Sequence, residues 1–289
     1  MLKFLPKGVP ADVSGVKVDW FNANGIVTLH LLLPIVIISG MVSWEAIIFM
    51  ICAIFCFATL GINLCYHRLL THRSFSVPKW LEYFLAVLGM CNLQHSPIRW
   101  VATHRHHHKY TDEQDDPHSP KVNFFWGHCG WLLWKNDYTA SVDMIDRYAR
   151  DLARDRFYLL MEKNQNWVWF YFFHLVLIFL VGEVFWGQGM LFLLWGGLIR
   201  TVVVWHITWS VNSFAHIYGY RSNDTPDTSR NNWLVGLFAV GEGWHNNHHA
   251  QPRSAKHGFA WWELDITYLL ILILKYIGLA KDIRLPRRS

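Results

Sequence analysis

Charged residues are scarce in this chain of 289 residues: they make up 16% of it, against about 25% in a typical soluble domain. This shortage argues against an ordinary soluble enzyme, and a formal net charge of +5 does not indicate a nucleic-acid partner. Five cysteines show no disulfide-like spacing and are expected to be reduced. The first 21 residues lack the apolar core of a cleavable signal peptide, so we expect the first hydrophobic segment to remain as an anchor.

Hydrophobic residues, in contrast, make up 53% of the chain, with 17 Trp and 19 Phe. They are concentrated in four segments that reach or approach the length needed to cross a bilayer core of about 30 Å. These segments cover residues 25–40, 44–66, 167–184 and 186–209. Very short connections make the first pair and the second pair antiparallel. We therefore predict an all-α integral membrane protein with four transmembrane helices, forming a single domain over residues 1–289.

Lysine and arginine are concentrated in the two long polar segments, residues 67–165 and 210–289. The tight connections between the spans contain almost no charge. By the positive-inside rule, both termini and both polar segments lie in the cytoplasm, where we expect them to form a helical cap. Residues 77–92 and 261–279 are apolar but short or interrupted by charge, which favours helices at the interface or on the cap over further spans.

The histidines of the polar segments follow a helical pattern. Two triplets share the spacing i, i+3, i+4, which places each triplet on one face of a helix. A lone histidine is usually structural, whereas two triplets with the same spacing on one side of a membrane predict a metal centre. The triplets are His104, His107 and His108, and His245, His248 and His249.

Two further pairs extend this pattern. Asn212 and His216 are four residues apart and share a helix face. His67 and His72 are five apart and would point about 140° apart on an unbroken α-helix, so we expect the second span to end between them.

One tetrahedral metal takes four ligands, and nine histidines therefore suit two metals with open positions. Imidazole binds zinc, copper, iron and nickel; the apolar surroundings favour two irons and oxygen chemistry, whereas two zincs would indicate hydrolysis.

The other histidines show no such pattern. His106 should point away from its triplet, and His118 is expected to be structural or to contact a metal ligand. We interpret the remaining ones as ordinary core or surface residues: His30, His95, His128, His174, His206 and His257.

Several charged residues are also candidates for a role. Glu242 and Asp116 could orient metal ligands, although Glu242 could equally cap a helix. Arg200 lies within the fourth apolar segment and is either functional or paired with a carboxylate or carbonyls. Four arginines could dock an acidic electron carrier or face anionic lipid headgroups. They are Arg147, Arg150, Arg154 and Arg156.

At the histidine clusters the chain resembles the membrane fatty acyl desaturases of the stearoyl (delta-9) kind. The shared motifs are His-Arg-Leu-Leu-Thr-His at 67–72, His-Arg-His-His-His-Lys at 104–109, Asn-Ser-Phe-Ala-His at 212–216 and Gly-Glu-Gly-Trp-His-Asn-Asn-His-His at 241–249. The resemblance covers roughly residues 61–279. It implies a four-span bundle with a cytosolic cap, a di-iron centre, and an acyl chain held in a bent internal tunnel.

The resemblance also implies roles for particular residues. Asn212 would bind metal through a water molecule, and Gln94, Trp100, Thr208 and Trp209 would line the bend of the tunnel, although Trp100 and Trp209 could instead be interfacial anchors. The implied metal ligands are His67, His72, His104, His107, His108, His216, His245, His248 and His249.

One stretch departs from the animal acyl-CoA enzymes of this family. Residues 95–103 precede the second histidine motif, and Ala102 and Thr103 stand there in place of charged residues that meet coenzyme A. This looks closer to the bacterial and cyanobacterial branch, in which acyl-lipid substrates are common. The carrier of the acyl chain, lipid or coenzyme A, stays open at this point.

The expected activity is therefore O2-dependent insertion of a cis double bond, at delta-9, into a saturated acyl chain, with two Fe2+ ions and O2. No haem or iron–sulfur motif is visible, so a separate electron donor such as a ferredoxin or a cytochrome is expected, along with membrane lipids as partners. A lipid hydroxylase or acyl decarboxylase could use the same histidines. More remote alternatives are a metal transporter or sensor and a zinc-dependent lipid hydrolase.

Overall fold

The architecture is that of a helical membrane protein. A computed structural model describes residues 17–135 and 141–287. Over these residues the fold is all-helical, with isolated β-bridges and no strand. Four of the described helices are long and apolar enough to cross a membrane, which confirms the predicted fold class. They are the first span Trp20–Ile38, the second span Trp44–Thr71, the third span Trp167–Trp186 and the fourth span Gly189–Ile217.

The spans end where backbone hydrogen bonding ends, and this differs from where the apolar sequence ends. The first span begins at Trp20 rather than at 25, because the Asp19 side chain caps it by accepting from the Asn22 amide. The second span continues past 66 to Thr71, and the fourth continues past 209 to Ile217. Both extensions carry polar residues out of the apolar segment and towards the cap.

The two tight connections meet at the end of the bundle opposite the cap. Ser43 caps the second span, and its hydroxyl lies 2.6 Å from Oε1 of Gln188 in the other connection. Gly187 ends the third span in a left-handed conformation, with φ of 63°, which glycine adopts without steric cost. These contacts tie the two helical hairpins together.

The cap is built from short helices. Residues 77–92 and 261–279 contain the helices Lys79–Met90 and Ile266–Tyr276, and both pack against the second span. The second of these helices begins later than Trp261 because Asp265 caps it. The other described α-helices of the cap are Pro97–Tyr110, Phe124–His128, Val142–Tyr148, Arg150–Ala153, Arg156–Glu162, Trp233–Phe238 and His245–Ala250.

The second span lies at the centre of the main hydrophobic core, where Ile62, Leu64 and Leu69 are buried. Gly61 allows a close helix contact, because a Cβ at this position would lie 2.3 Å from the backbone nitrogen of Gly89. This contact holds the second span tightly against the helix Lys79–Met90. The polar end of the span, which carries His67, is thereby fixed at the base of the cap.

Candidate metal centre

The structure brings all nine predicted histidines together in two adjacent groups. Within each group the candidate ligand atoms all lie within 4.8 Å of one another. We call the groups the five-histidine cluster and the four-histidine cluster. The five-histidine cluster contains His67, His72, His104, His108 and His248, and the four-histidine cluster contains His107, His216, His245 and His249.

The second span carries His67 and His72 to the five-histidine cluster by a wide helical turn. Its hydrogen bonds are of the π type from Ile54 to Thr71, and the His72 amide donates to the His67 carbonyl at 3.1 Å. A turn that closes from i to i+5 brings residues five apart to the same side of the helix. Their rings lie 4.8 Å apart. The span ends at Thr71, between the two histidines, as predicted. The sequence did not reveal that a π turn, rather than a break in an α-helix, brings their rings together.

Each histidine triplet serves both clusters. In the helix Pro97–Tyr110, His104 and His108 enter the five-histidine cluster, whereas His107, one position before His108, enters the four-histidine cluster. The helix His245–Ala250 does the reverse, because it places His248 in the five-histidine cluster and His245 with His249 in the other. The spacing i, i+3, i+4 thus suits a pair of neighbouring sites better than a single site.

The inward nitrogens of the five-histidine cluster are arranged as around a cation. His248 Nε2 lies 3.1 Å from His67 Nε2 and 2.9 Å from His108 Nε2, and His108 Nε2 lies 3.1 Å from His104 Nε2. Because a ring nitrogen carries at most one hydrogen, at most two of these three contacts can be hydrogen bonds. Two nitrogens about 2.1 Å from one metal ion lie about 3.0 Å apart when they subtend a right angle. The donor set therefore fits a metal ion.

The four-histidine cluster has the same character. His245 Nε2 lies 3.0 Å from both His216 Nε2 and His249 Nε2. His107 Nε2 is buried and has no hydrogen-bond partner among the described residues. A buried nitrogen without a partner is costly unless something else satisfies it. A bound metal ion would satisfy it.

Carboxylates face the outward nitrogens of four of these histidines. A carboxylate at Nδ1 keeps the hydrogen there and leaves the lone pair on Nε2 free for a metal. Two of the four acids, Glu242 and Asp116, follow the prediction, whereas Asp112 and Asp227 were missed. The Nδ1–oxygen distances are 2.7 Å for His67 and Glu242, 2.9 Å for His107 and Asp116, 3.3 Å for His216 and Asp112, and 3.0 Å for His249 and Asp227.

The electrostatics of the site suit metal binding. Burial lowers the pKa of His107 and of His248 well below the ordinary value, so both rings are neutral at neutral pH. Burial raises the pKa of Asp112, but hydrogen bonds from His216 and Thr228 outweigh it and hold that pKa below its usual range. Neutral imidazoles beside ionised carboxylates are the protonation states that a metal ion requires.

Glu242 is held in place by a buried ion-pair network. Arg68 Nε donates to Glu242 Oε1 at 3.0 Å, and Arg68 Nη2 lies 2.9 Å from Asp265 Oδ1. Gly241 precedes Glu242 with φ of +115°, and a Cβ there would lie 2.4 Å from Asp265 Oδ1. His257 Nδ1 lies 3.2 Å from Glu242 Oε2, and its ring packs 4.4 Å from that of His248. His257 is a buried core residue, as the sequence allowed, but an isolated histidine carries no spacing that could reveal its contact with Glu242.

An apolar cavity of about 300 Å³ adjoins both clusters. Its lining includes His67, His104 and His245 together with Asn212, which lies one helical turn before His216. All four residues predicted to line a tunnel do line this cavity: Gln94, Trp100, Thr208 and Trp209. The cavity thus connects the interior of the span bundle with the histidines.

Three of these lining residues form a hydrogen-bonded group. The Gln94 amide donates to Thr208 Oγ1 at 3.0 Å, and Trp100 Nε1 donates to Gln94 Oε1 at 3.4 Å. The Trp100 ring also stacks on His104, with centroids 4.9 Å apart. The wall of the cavity is therefore linked directly to the five-histidine cluster.

Other predicted residues have structural surroundings. Arg200 is fully buried and donates to the Asn92 side chain and to the carbonyls of Cys91 and Gly196, which supports the structural interpretation. His106 faces away from both clusters and bonds the Asp115 carbonyl, as expected. His118 packs on the His107 ring at 4.2 Å. The arginines at 147, 150, 154 and 156 are exposed on the cap.

Comparisons with known proteins agree with this geometry. The family model of fatty acid desaturases matches residues 42–272. The sn-1 stearoyl-lipid 9-desaturase of Anabaena variabilis is 40% identical over 273 residues, which cover 94% of this chain and 96% of that protein. The sn-1 stearoyl-lipid 9-desaturase of Synechocystis is also 40% identical, over 90% of this chain and 78% of its own. An acyl-CoA 5-desaturase of Anemone leveillei is 39% identical, over 98% of this chain and 88% of that protein. This chain is a membrane protein that belongs to the fatty acid desaturase family.

Proposed function

We propose that this protein is an O2-dependent acyl-lipid desaturase that inserts a cis double bond at delta-9 into a saturated acyl chain. The observation that carries the proposal is the apolar cavity whose wall includes histidines of both clusters. A saturated chain has no polar group at its reacting carbons, so an enzyme can select them only by holding the chain at a fixed depth. An apolar cavity beside the two histidine clusters provides this.

The two clusters would hold two iron ions. The five-histidine cluster would bind one, and the four-histidine cluster would bind the other with Asn212 acting through a water molecule. Ring nitrogens that lie 2.9 to 3.1 Å apart support a shared ion in the five-histidine cluster, and the apolar cavity beside it favours oxygen chemistry on iron over hydrolysis on zinc. When bound, two ferrous ions would supply the activation of O2 and the removal of two hydrogens from adjacent carbons.

The residues of the chain would position the substrate and exclude water. Gln94, Thr208 and Trp100 would form the bend of the tunnel, because their hydrogen bonds fix the cavity wall next to His104. Trp209, which is 4% exposed, would close the wall beside them. A chain bent at this point would present its middle carbons to the clusters in a cis-compatible conformation.

The carrier of the acyl chain is proposed to be a membrane lipid. Ala102 and Thr103 are buried in the structure and offer no charge to a coenzyme A moiety. The cyanobacterial relatives are named for stearoyl-lipid and palmitoyl-lipid substrates. The acyl-CoA 5-desaturase of Anemone leveillei shows that similar proteins are also named for coenzyme A thioesters, so the carrier needs a direct test.

We further propose that residues 1–289 form one domain with both termini and the metal centre in the cytoplasm. The uneven distribution of lysine and arginine supports this orientation. Electrons would come from a separate ferredoxin or cytochrome, and the exposed arginines between 147 and 156 would attract an acidic carrier.

The test is the fatty-acid composition, by lipid class, of a host that lacks its own desaturase. The host would express this chain or the His248→Ala variant together with a ferredoxin system, and mass spectrometry would locate any new double bond. We expect a delta-9 monounsaturated acid that appears first in glycerolipid and only with the unsubstituted chain. Early appearance of the new acid in acyl-CoA would overturn the proposal that a membrane lipid is the carrier. Hydroxy acids or terminal alkenes without a new double bond would overturn the proposal that the reaction is desaturation.

A further inference from the structure

The first span forms one wall of the cavity. Phe21, Asn22, Gly25 and Ile26 all line it. Val36 is the one described residue of this helix that is buried, so the helix packs only lightly against the rest of the protein. A single, lightly packed helix therefore separates the cavity from the surroundings, which are lipid tails in a membrane protein.

The two edges of this helix are held very differently. On the side of the fourth span, His30 Nε2 lies 3.0 Å from His206 Nε2, and His206 Nδ1 lies 2.9 Å from His128 Nε2 of the cap. On the side of the third span, the part of the chain that the structure describes shows no hydrogen bond to the helix. The contact there is an edge-to-face pair of Phe21 and Trp167, with centroids 6.4 Å apart.

The weakly held edge is also where the cavity reaches the lipid-facing surface. Phe21 of the first span is 47% exposed and Phe172 of the third span is 53% exposed, yet both line the cavity. Because two apolar rings flank this seam, separating them leaves no buried polar group without a partner. The opposite edge could open only by breaking the histidine contacts.

We propose that the acyl chain of a bilayer glycerolipid enters the cavity sideways, through the seam between Phe21 and Phe172. This rests on the proposed function and specifies its substrate route. A glycerolipid keeps its acyl chains in the bilayer. Moving a chain to a cavity opening that faces water would expose every methylene group of the chain to water, which is unfavourable. A lateral seam lets one chain leave the bilayer core and enter an equally apolar cavity, while the ester and headgroup remain at the interface.

The test locks the seam. In a background with Cys52, Cys56 and Cys129 replaced by alanine, Phe21→Cys and Phe172→Cys are introduced together and joined by a bismaleimide in vesicles. The matched control joins Ser43→Cys and Gln188→Cys, which link the turns at the opposite end of the bundle. Desaturation of vesicle lipid is compared before and after cross-linking of the same sample.

We expect the seam cross-link to reduce lipid desaturation at least about tenfold, since the entry step is blocked, and the control cross-link to change it by less than about twofold. Equal rates before and after cross-linking at the seam would overturn the proposal. So would equal losses for both cross-links, since the effect would then be a general loss of mobility.

A second readout does not depend on activity. Thr208→photo-leucine places a photoreactive side chain in the cavity wall, and illumination in phospholipid vesicles should yield a covalent lipid adduct detectable by mass spectrometry. The adduct should be lost when the seam is cross-linked and retained with the control cross-link. If the adduct follows this pattern but protein with Thr208 retained forms no double bond, the entry route holds and the proposed reaction fails. Adducts that persist behind a locked seam would refute the route.

Discussion

At the residue scale, the arrangement of hydrogens on the imidazoles decides what the clusters can bind. An imidazole donates from one nitrogen and accepts at the other, and its partner determines which. Glu242 and Asp227 each face an Nδ1 atom and so direct a lone pair of His67 or His249 into its cluster. Burial raises the pKa of Asp227, but hydrogen bonds from His249 and Ser229 outweigh this effect. The pKa of Asp227 therefore lies below its usual range, and this acid stays ionised.

The amide variants Glu242→Gln and Asp227→Asn should each weaken one cluster and spare the other. An amide keeps the shape but loses the charge that holds the Nδ1 hydrogen, and such changes lower metal affinity about 10- to 100-fold. Iron content by mass spectrometry after dialysis should therefore fall from two ions towards one in either variant, and towards none in the double variant.

The matched control for this experiment is Asp146→Asn, which removes an exposed acid paired with Arg150 on the outer surface of the cap. It should retain both ions. If Glu242→Gln and Asp227→Asn also retain both after the same dialysis, the carboxylates do not support metal binding.

At the element scale, hydrogen bonds of the π type recur in two of the four spans. They extend over Ile54–Thr71 in the second span and over Leu193–Ile199 in the fourth. Wide turns of this kind are uncommon in helices as a whole, but those that occur are often found at functional sites. The first brings His67 and His72 to one side, and the second directly precedes Arg200, whose guanidinium bonds the Gly196 carbonyl within it.

The close contact of the second span with the helix Lys79–Met90 should be sensitive to a single methyl group. In Gly61→Ala the added carbon would lie 2.3 Å from backbone atoms of Gly89, so the helices must separate. We expect a loss of about 1–3 kcal/mol in the free energy of unfolding, as for other overpacked cores. Thermal unfolding in nanodiscs measures this as a lower melting temperature.

Gly25→Ala is the comparison, because a Cβ at Gly25 meets no atom within 4 Å. Alanine favours a helix over glycine by up to about 1 kcal/mol, so this variant should be equally stable or slightly more stable. Identical melting temperatures for Gly61→Ala and Gly25→Ala would show that the helix contact tolerates expansion.

At the scale of the whole molecule, the histidine clusters join the cap to the span bundle. The second span supplies His67 and the fourth supplies His216, whereas the helices Pro97–Tyr110 and His245–Ala250 supply the triplets. These parts are distant in sequence, so ions bound between them would act as cross-links of the tertiary structure. The third span contributes no residue to either cluster.

Removal of metal should therefore loosen the cap more than the bundle. A ligand present at 1,000 times its dissociation constant stabilises a fold by about 4 kcal/mol, and chelation forfeits this for each ion. We expect a lower melting temperature and faster amide exchange in the helices Pro97–Tyr110 and His245–Ala250, with little change in Trp167–Trp186. Uniform acceleration across all helices would indicate global unfolding rather than release of the cap, and unchanged exchange would argue against bound metal.

Local patterns by themselves determined much of this protein. Four membrane-spanning helices follow from apolar segments, because a bilayer imposes a length on any helix that crosses it. The spacing of His104, His107 and His108 placed them on one face, since helical periodicity is a property of neighbouring residues. The motifs also identified the family, which the match over residues 42–272 confirms.

Only the tertiary structure decided how these parts combine. The division into clusters of five and four, the contact of His257 with Glu242, and the role of Asp227 depend on residues brought together from distant segments. The wide turn between His67 and His72 depends on the packing of the second span at the core. The seam between Phe21 and Phe172 arises where two helices lie side by side. Such contacts have no periodic signature, because the free energy that selects them comes from the packing of the whole fold.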